Sequence, residues 1–304
     1  MLLETFLAAG LALGTPILLA ALGELLVERT GVLNIGVEGM MLAGAFAAAL
    51  CASTTGSALW GCVAAAAVGA VLALLFALAA VRLAADQIIV GAAINLLALG
   101  ATGALYRALL GATGAALVLP TLPAVGVPLL GEVPVLGPVL ARQHALVLTG
   151  LVATPLLAYV LAHTGLGLRL RSLGDHPLAA ASLGLPVRAY RTAALAVGGA
   201  LAGLGGAALT LAATNTFVEG MTAGRGFIAL AVVVFGRWSP WGALAGAAFF
   251  GLASALQFQF QAAALAIPYQ AFLMLPYVLT LAVLLLSSGG ARAPRALGAR
   301  YERE

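Results

Sequence analysis

The sequence predicts an all-α polytopic membrane protein of about nine transmembrane helices, within a range of eight to ten, some of them broken or halved. Three observations predict it. Of 304 residues 63% are hydrophobic and only 8% charged, with a mean hydropathy of +1.13, a balance no soluble domain of this length presents to water. Apolar runs recur from Phe6 to Leu286 without a soluble-looking block, and spanning about 30 Å of hydrocarbon takes about 20 helical residues. Glycines and isolated polar residues interrupt several of these runs, as in broken spans.

Runs bounded by charge, proline or polar clusters place spans near 6–27, 32–50, 58–81, 87–110, 144–163, 191–212, 223–236, 241–262 and 265–286, with 223–236 unusually short. They form one membrane domain, 1–290, followed by a basic tail, 291–304. If 165–191 is cytoplasmic, alternation puts eleven of the 14 arginines inside, the tail among them, and leaves Arg107, Arg142 and Arg225 outside, which satisfies the positive-inside rule. The N-terminus is then external; one broken span counted as two would move it inside. MLLETF carries Glu4 rather than a basic run, so it does not start like a secretory signal peptide.

Several function classes drop out. The chain has no lysine, so it lacks the phosphate loop whose lysine reaches a nucleotide; ATP hydrolysis would lie elsewhere. Its arginines form no stripe with interleaved aromatics, which argues against nucleic acid. Cys51 and Cys62 lack metal-site spacing and read as packing residues. His144, His163 and His176 are dispersed, and no HExxH, GxSxG or paired-carboxylate arrangement lies within an apolar span, so no enzyme and no metal site is expected.

Two connections are long. The outer one, 111–143, holds five prolines (Pro120, Pro123, Pro128, Pro134 and Pro138) and predicts irregular backbone used for docking or as a lid. The inner one is GLGLRLRSLGDHPLAAASLGLPVRAYR, residues 165–191. There Asp175 and His176 start a helix, Pro177 suits its first turn, and Gly184 with Pro186 stops it. A short amphipathic helix on the cytoplasmic face is expected; a plain basic loop serving topology is the alternative.

Within the spans, Asn34 and Glu38 are four apart and would share a helix face. An acid in hydrocarbon is costly unless paired or facing water, so that face looks either into a cavity or onto a neighbouring helix as interhelical glue. Glu24 and Glu28 share a face near Arg29 and read as interfacial or paired; with Glu38 they leave open a proton-coupled carrier. Asn95 lines a path or makes a packing hydrogen bond. Residues 213–228, with Asn215, Glu219 and Arg225 before the short run, predict either a half-helix at a solute site or a plain external loop. Arg237, Trp238 and Trp241 suit an inner boundary with an aromatic belt. Gly199 with Gly203, and Gly242 with Gly246, have the small-xxx-small spacing of close helix contacts.

Taken together, GELLVERTGVLNIGVEGMMLAGAF (23–46), RSLGDHPLAAASLGLPV (171–187) and GRGFIALAVVVFGRWSPWGALAGAAFFG (224–251) resemble, in order and separation, the permease subunits of ATP-binding-cassette (ABC) importers of the branched-chain amino acid, ribose and nucleoside type. The chain looks most like the shorter permease of a nucleoside or simple-sugar importer. The resemblance implies a multi-pass protein of a prokaryotic cytoplasmic membrane that works by alternating access. It also implies partners: an ABC ATPase, often two fused domains holding the ATP and magnesium this chain lacks, a second related permease, and an external solute-binding protein. In such permeases the inner loop carries a pattern like R-A-x-G-x-N-P-x-A-A-x-x-x-G that docks on the ATPase. Carried over, it points to Arg171, Gly174, Pro177, Ala179, Ala180 and Gly184, with Asp175 and His176 as the helix-starting polar pair and Ser172 in place of the usual alanine. Ala179 and Ala180 would allow close approach to the partner, and the two glycines would set the helix ends. Asn34, Glu38, Asn95, Asn215 and Phe227 are the expected substrate path. An ion-gradient carrier, or the same ABC role for branched-chain amino acids, is the alternative function.

Overall fold

The computed structural model describes residues 2–110, 119–125, 136–140, 143–262, 274, 278 and 293–301. Its helices, in chain order, are α1 (Leu2–Glu28), α2 (Val37–Thr55), α3 (Ala58–Phe76), α4 (Gln87–Leu110), α5 (Leu136–Leu140), α6 (Ala145–His163), α7 (Gly165–Asp175), α8 (Pro177–Ser182), α9 (Val187–Ala208), α10 (Arg225–Phe235) and α11 (Pro240–Ala262). A π-helical turn extends α3 over Ala77–Arg82, and another extends α9 over Leu209–Thr214. Among the described residues seven helices are long and apolar enough to cross a bilayer, and α10 is a shorter apolar helix. The chain is an all-α, multi-pass membrane protein. Eight expected spans have their helix; the ninth, 265–286, lies outside the described residues except for Met274 and Val278.

Two of the boundaries that differ from expectation bear on the site. The span expected over 32–50 begins only at Val37, because residues 29–36 run as turns and extended chain, with Gly31 at φ +84. Asn34 therefore precedes the helix and shares no face with Glu38. The span expected over 191–212 begins four residues earlier, at Val187, which brings Arg191 into the helix, where it is 2% exposed.

Small residues let the bundle close. A β-carbon at Gly44 of α2 would come within 2.5 Å of the Gly203 α-carbon of α9, and Gly69 of α3 and Gly199 of α9 approach so closely that a β-carbon on either would meet the other's carbonyl. Gly242 of α11 packs against Gly236 in the same way, and Gly246 against Val232. Both small-residue pairs thus do what their spacing predicts. In lipid, van der Waals contact and polar bonds replace the hydrophobic effect as the force between helices. The outer faces of α3, α4 and α6 expose Leu74, Leu78, Leu96, Leu97, Val152 and Leu156, a surface suited to lipid.

Of the proline-rich connection, 119–125, 136–140 and 143 are described. Residues 119–125 are largely extended: the Leu119 and Leu122 amides donate to the carbonyls of Asn215 (3.1 Å) and Leu211 (3.1 Å), and β1 (Ala124–Val125) pairs with β2 (Gln143–His144). Irregular backbone here satisfies carbonyls freed at the end of α9.

Candidate functional site: the junction of two broken helices

At about 1.5 Å per residue, the 11 residues of α10 reach roughly 16 Å, about half the hydrocarbon thickness. The chain reaches it from the π turn through a loop, 215–224. Asn215 ends that turn in the left-handed region at φ +53, which asparagine tolerates better than most residues. Phe217 anchors the loop: it is buried against the rings of Phe46 (centroids 5.2 Å apart) and Tyr106 (5.4 Å).

Glu38 joins the two broken elements. Its Oε1 accepts from the Gly224 amide at 2.8 Å and its Oε2 from the Gly226 amide at 2.6 Å, while Glu38 itself sits in the first turn of α2. One carboxylate thus lies at two helix N-termini, where unpaired amides and the positive ends of both helix dipoles favour negative charge. A β-carbon at Gly226 would lie 2.6 Å from the Glu38 α-carbon, so glycine is required for α10 to come this near.

Around Glu38 other polar side chains satisfy the non-helical backbone ahead of α2. Asn95 of α4 accepts from the Gly39 amide (2.8 Å) and donates to the Ile35 carbonyl (3.0 Å). Asn34 accepts from the Gly36 amide (3.1 Å) through its side chain, and its own amide donates to Glu24 Oε1 (2.9 Å). Gln87 Oε1 accepts from the Leu33 amide at 2.8 Å. Backbone without helical bonds at membrane depth persists only when protein groups complete it, and these four side chains do so.

Of the expected path residues, the structure therefore brings Asn34, Glu38 and Asn95 into one network. Asn215 is exposed beyond it, and Phe227, 47% exposed, projects from α10 next to Gly226. The interfacial reading of Glu24 and Glu28 is corrected: each is 1% exposed and bonded inside the bundle, Glu28 accepting from the Trp238 indole. Trp238, expected in an aromatic belt, is accordingly buried, whereas Trp241 is 56% exposed. Arg29 Nε donates to the Trp238 carbonyl (3.1 Å), so the end of α10 is tied to the end of α1.

The segment 165–191 holds two short helices, α7 and α8, and the first turn of α9, rather than one helix. Thr164 caps α7 by accepting from the Gly167 amide, Asp175 closes it, His176 bridges to α8, Pro177 opens α8, and Gly184 ends the segment at φ +84. Gly184 thus sets an end as expected, but Gly174 lies inside α7 for a different reason: a β-carbon there would come within 2.5 Å of the Arg29 carbonyl oxygen. Ala180 is buried among Leu173, Val187 and Tyr301 instead of facing outward, because α8 lies back on α7 and α9. Arg171 is half-buried; Asp175, His176, Leu178, Ala179, Ser182 and Leu183 are exposed.

Three contributors were not anticipated. Gln87 and Arg191 complete the turn ahead of α2, Arg191 Nε donating to the Thr30 carbonyl at 3.1 Å. The basic tail also docks here: the Ala296 amide donates to the Gly174 carbonyl (2.8 Å), the Gly298 amide to the Gly31 carbonyl (3.1 Å), and the Arg295 amide to Asp175 (3.3 Å). For Arg191 a signal existed, since Val187, Arg191, Ala194, Leu195 and Gly198 follow one helical face. For the tail none did, as its bonds are made by backbone.

The family described as branched-chain amino acid transport system, permease component, matches residues 6–286. The chain belongs to this family. As a permease component it is the membrane-spanning part of a transport system, and it has relatives along nearly its whole length. It is 38% identical to a guanosine ABC transporter permease protein of Bacillus subtilis (strain 168), covering 99% of this chain and 97% of the relative. It is 37% identical to a nucleoside ABC transporter permease protein of Lactococcus lactis subsp. cremoris, covering 98% and 97%. A putative glucose ABC transporter permease protein of Haloferax volcanii is 39% identical over 83% of this chain and 77% of the relative. No solved structure matches it significantly.

Proposed function

We propose that this permease carries a nucleoside inward across the cytoplasmic membrane of a prokaryote as one membrane subunit of an ABC importer. The observation that carries the substrate reading is the near full-length likeness to two nucleoside permeases. A simple sugar is the second reading, favoured by the shorter match to a putative glucose permease.

In this reading α7, α8 and the tail face the cytoplasm, and residues 111–143 face outward. ATP and magnesium are held by a separate ATPase, two of whose domains are fused, and a related permease and an external binding protein complete the importer. The exposed face formed by Asp175, His176, Leu178, Ala179 and Leu183 docks on the ATPase. Arg171, Gly174, Pro177, Ala180 and Gly184 shape that face from behind. Closure of the ATPase pushes α7 and α8, and the contact of Gly174 with the Arg29 carbonyl passes the push to the turn ahead of α2. Glu38 then links α2 to α10, so both broken helices move together around the path. Phe227 and Asn215, on the exposed side of that junction, line the path; Asn34, Glu38 and Asn95 hold its wall in shape. Contacts with the solute stay weak, as release requires, and affinity resides in the binding protein.

The test is uptake of labelled guanosine by cells with and without the gene, under ATP depletion and under collapse of the proton gradient. Gene-dependent uptake lost on ATP depletion but kept on gradient collapse is expected. Uptake unaffected by deletion overturns the nucleoside reading and directs the same test to labelled glucose and ribose. Uptake lost only with the gradient overturns the ABC mechanism in favour of a carrier.

A further inference from the structure

We propose that the cleft between α6, α7 and the turn joining α10 to α11 seats the phosphate headgroup of an anionic phospholipid of the cytoplasmic leaflet. The proposal rests on the orientation above for the word cytoplasmic, and on nothing else in it.

The cleft has a volume of about 410 Å³, and Arg29, Arg171, His163, Tyr159, Trp238 and Trp241 are among its lining. Arg29 and Arg171 are both half-buried, and their charges are close enough to repel. Burial and, after it, Arg171 hold the Arg29 guanidinium below the usual arginine range, with Asp175 acting the other way. Among the described residues neither arginine has a carboxylate within ion-pair distance. Arg29 directs Nε and one terminal nitrogen to the Trp238 carbonyl, and Arg171 Nε makes a long bond, 3.4 Å, to the Gly167 carbonyl of its own helix. Donors remain on both side chains. Two converging cations with spare donors and low hydration are stabilised by an anion that bridges them, and a phosphate offers the acceptors to do so.

The surroundings distinguish a lipid from a free anion. Tyr159 and Trp241, 60% and 56% exposed, flank the cleft as aromatic side chains do at a headgroup boundary, and Tyr159 stacks on His163 with centroids 5.3 Å apart. From the cleft, the exposed side chains Leu156 and Val152 continue along α6 away from α7. They lead into an apolar groove of about 490 Å³ that follows Leu156, Val152, Thr149 and Leu148 and is bounded at the far end of α6 by Ala145 and Val125. A charged head at one end and an apolar furrow running toward the membrane interior fit an acylated phosphate, whereas inorganic phosphate or a protein carboxylate would leave the furrow empty.

The experiment measures phospholipid retained by the complete importer, purified with its partners in mild detergent and titrated with phosphatidylglycerol or phosphatidylcholine under native mass spectrometry. Preferential retention of phosphatidylglycerol is expected. Arg29→Gln and Arg171→Gln should each weaken it about fivefold, the factor one basic side chain contributes at an anionic membrane surface. Arg82→Gln and Arg188→Gln make the same charge change at the same end of the bundle and should leave it unaltered. Arg171→Gln guards against misfolding, since it breaks no contact between helices, whereas Arg29→Gln disturbs the Trp238 turn. Equal retention of the two lipids, equal loss in all four variants, loss in Arg29→Gln alone, or displacement by inorganic phosphate at the lipid's own concentration would each overturn the site. None of these readings depends on uptake. Labelling of a cysteine placed at Leu183 with a membrane-impermeant reagent, in intact cells and in inverted vesicles, separately reports which leaflet the cleft faces.

Discussion

Replacing Glu38 with alanine removes both acceptors at the start of α10 and leaves the Gly224 and Gly226 amides, bonded at 2.8 and 2.6 Å, without partners. An unsatisfied buried donor costs about 1–3 kcal/mol. Loss of the negative charge at the two helix N-termini adds up to about 1 kcal/mol. Because Glu38 is half-buried, water reaches part of the junction, and the lower half of the range applies to each amide, about 2–5 kcal/mol in all. At about 2–4 °C per kcal/mol for a large domain, the melting temperature of the purified protein should fall by roughly 4–20 °C. Hydrogen exchange read by mass spectrometry should show faster exchange confined to the 220–230 region, and Glu38→Gln, which keeps one acceptor, should fall between the variant and the parent. An Ala variant that melts and exchanges like the parent but fails in uptake would refute the reasoning, because Glu38 would then act on the solute and not on the fold.

Other perturbations separate shape from surface. Asn95→Leu leaves the Gly39 amide in the first turn of α2 and the Ile35 carbonyl ahead of it without their partner and should lower stability by about 2–4 kcal/mol, read from thermal unfolding, with the overall helix content unchanged by circular dichroism. Ala180→Trp should unfold α8 and expose the 173–187 segment to protease, because Leu173, Val187 and Tyr301 enclose the site. Leu183→Glu, at a position 84% exposed, should leave folding unchanged and weaken co-purification of the ATPase. Trp238→Phe takes the indole donor from the buried Glu28 carboxylate and should cost about 1–3 kcal/mol in the same unfolding assay.

The spans were legible because hydropathy and length are properties of the residues themselves, and lipid demands them locally: each helix must satisfy its own backbone wherever it crosses. For the same reason the half-helix over 225–235 could be read from its shortness, and the helix at 177–182 from Pro177 and Gly184. Polar residues within the membrane were also visible as candidates, because an acid or an amide in an apolar run has no local explanation. What each one bonds was not visible. Asn34 and Glu38 looked like neighbours on one helix face, but the chain turns at Gly31, at φ +84, and stays non-helical until Val37, and backbone conformation around glycine depends on what packs against it.

By itself, then, the sequence determined the class, the number and order of the described spans and the family, all of which follow from composition, local pattern and resemblance. The tertiary structure alone decided that Glu38 belongs to the start of α10, that Asn95 and Gln87 complete the turn ahead of α2, and that Trp238 turns inward to Glu28. It alone brought the tail back onto Gly174 and Gly31. These contacts join residues tens to hundreds of positions apart, mostly through backbone amides and carbonyls. Every residue but proline carries both groups, so no pattern of side chains announces which of them will meet.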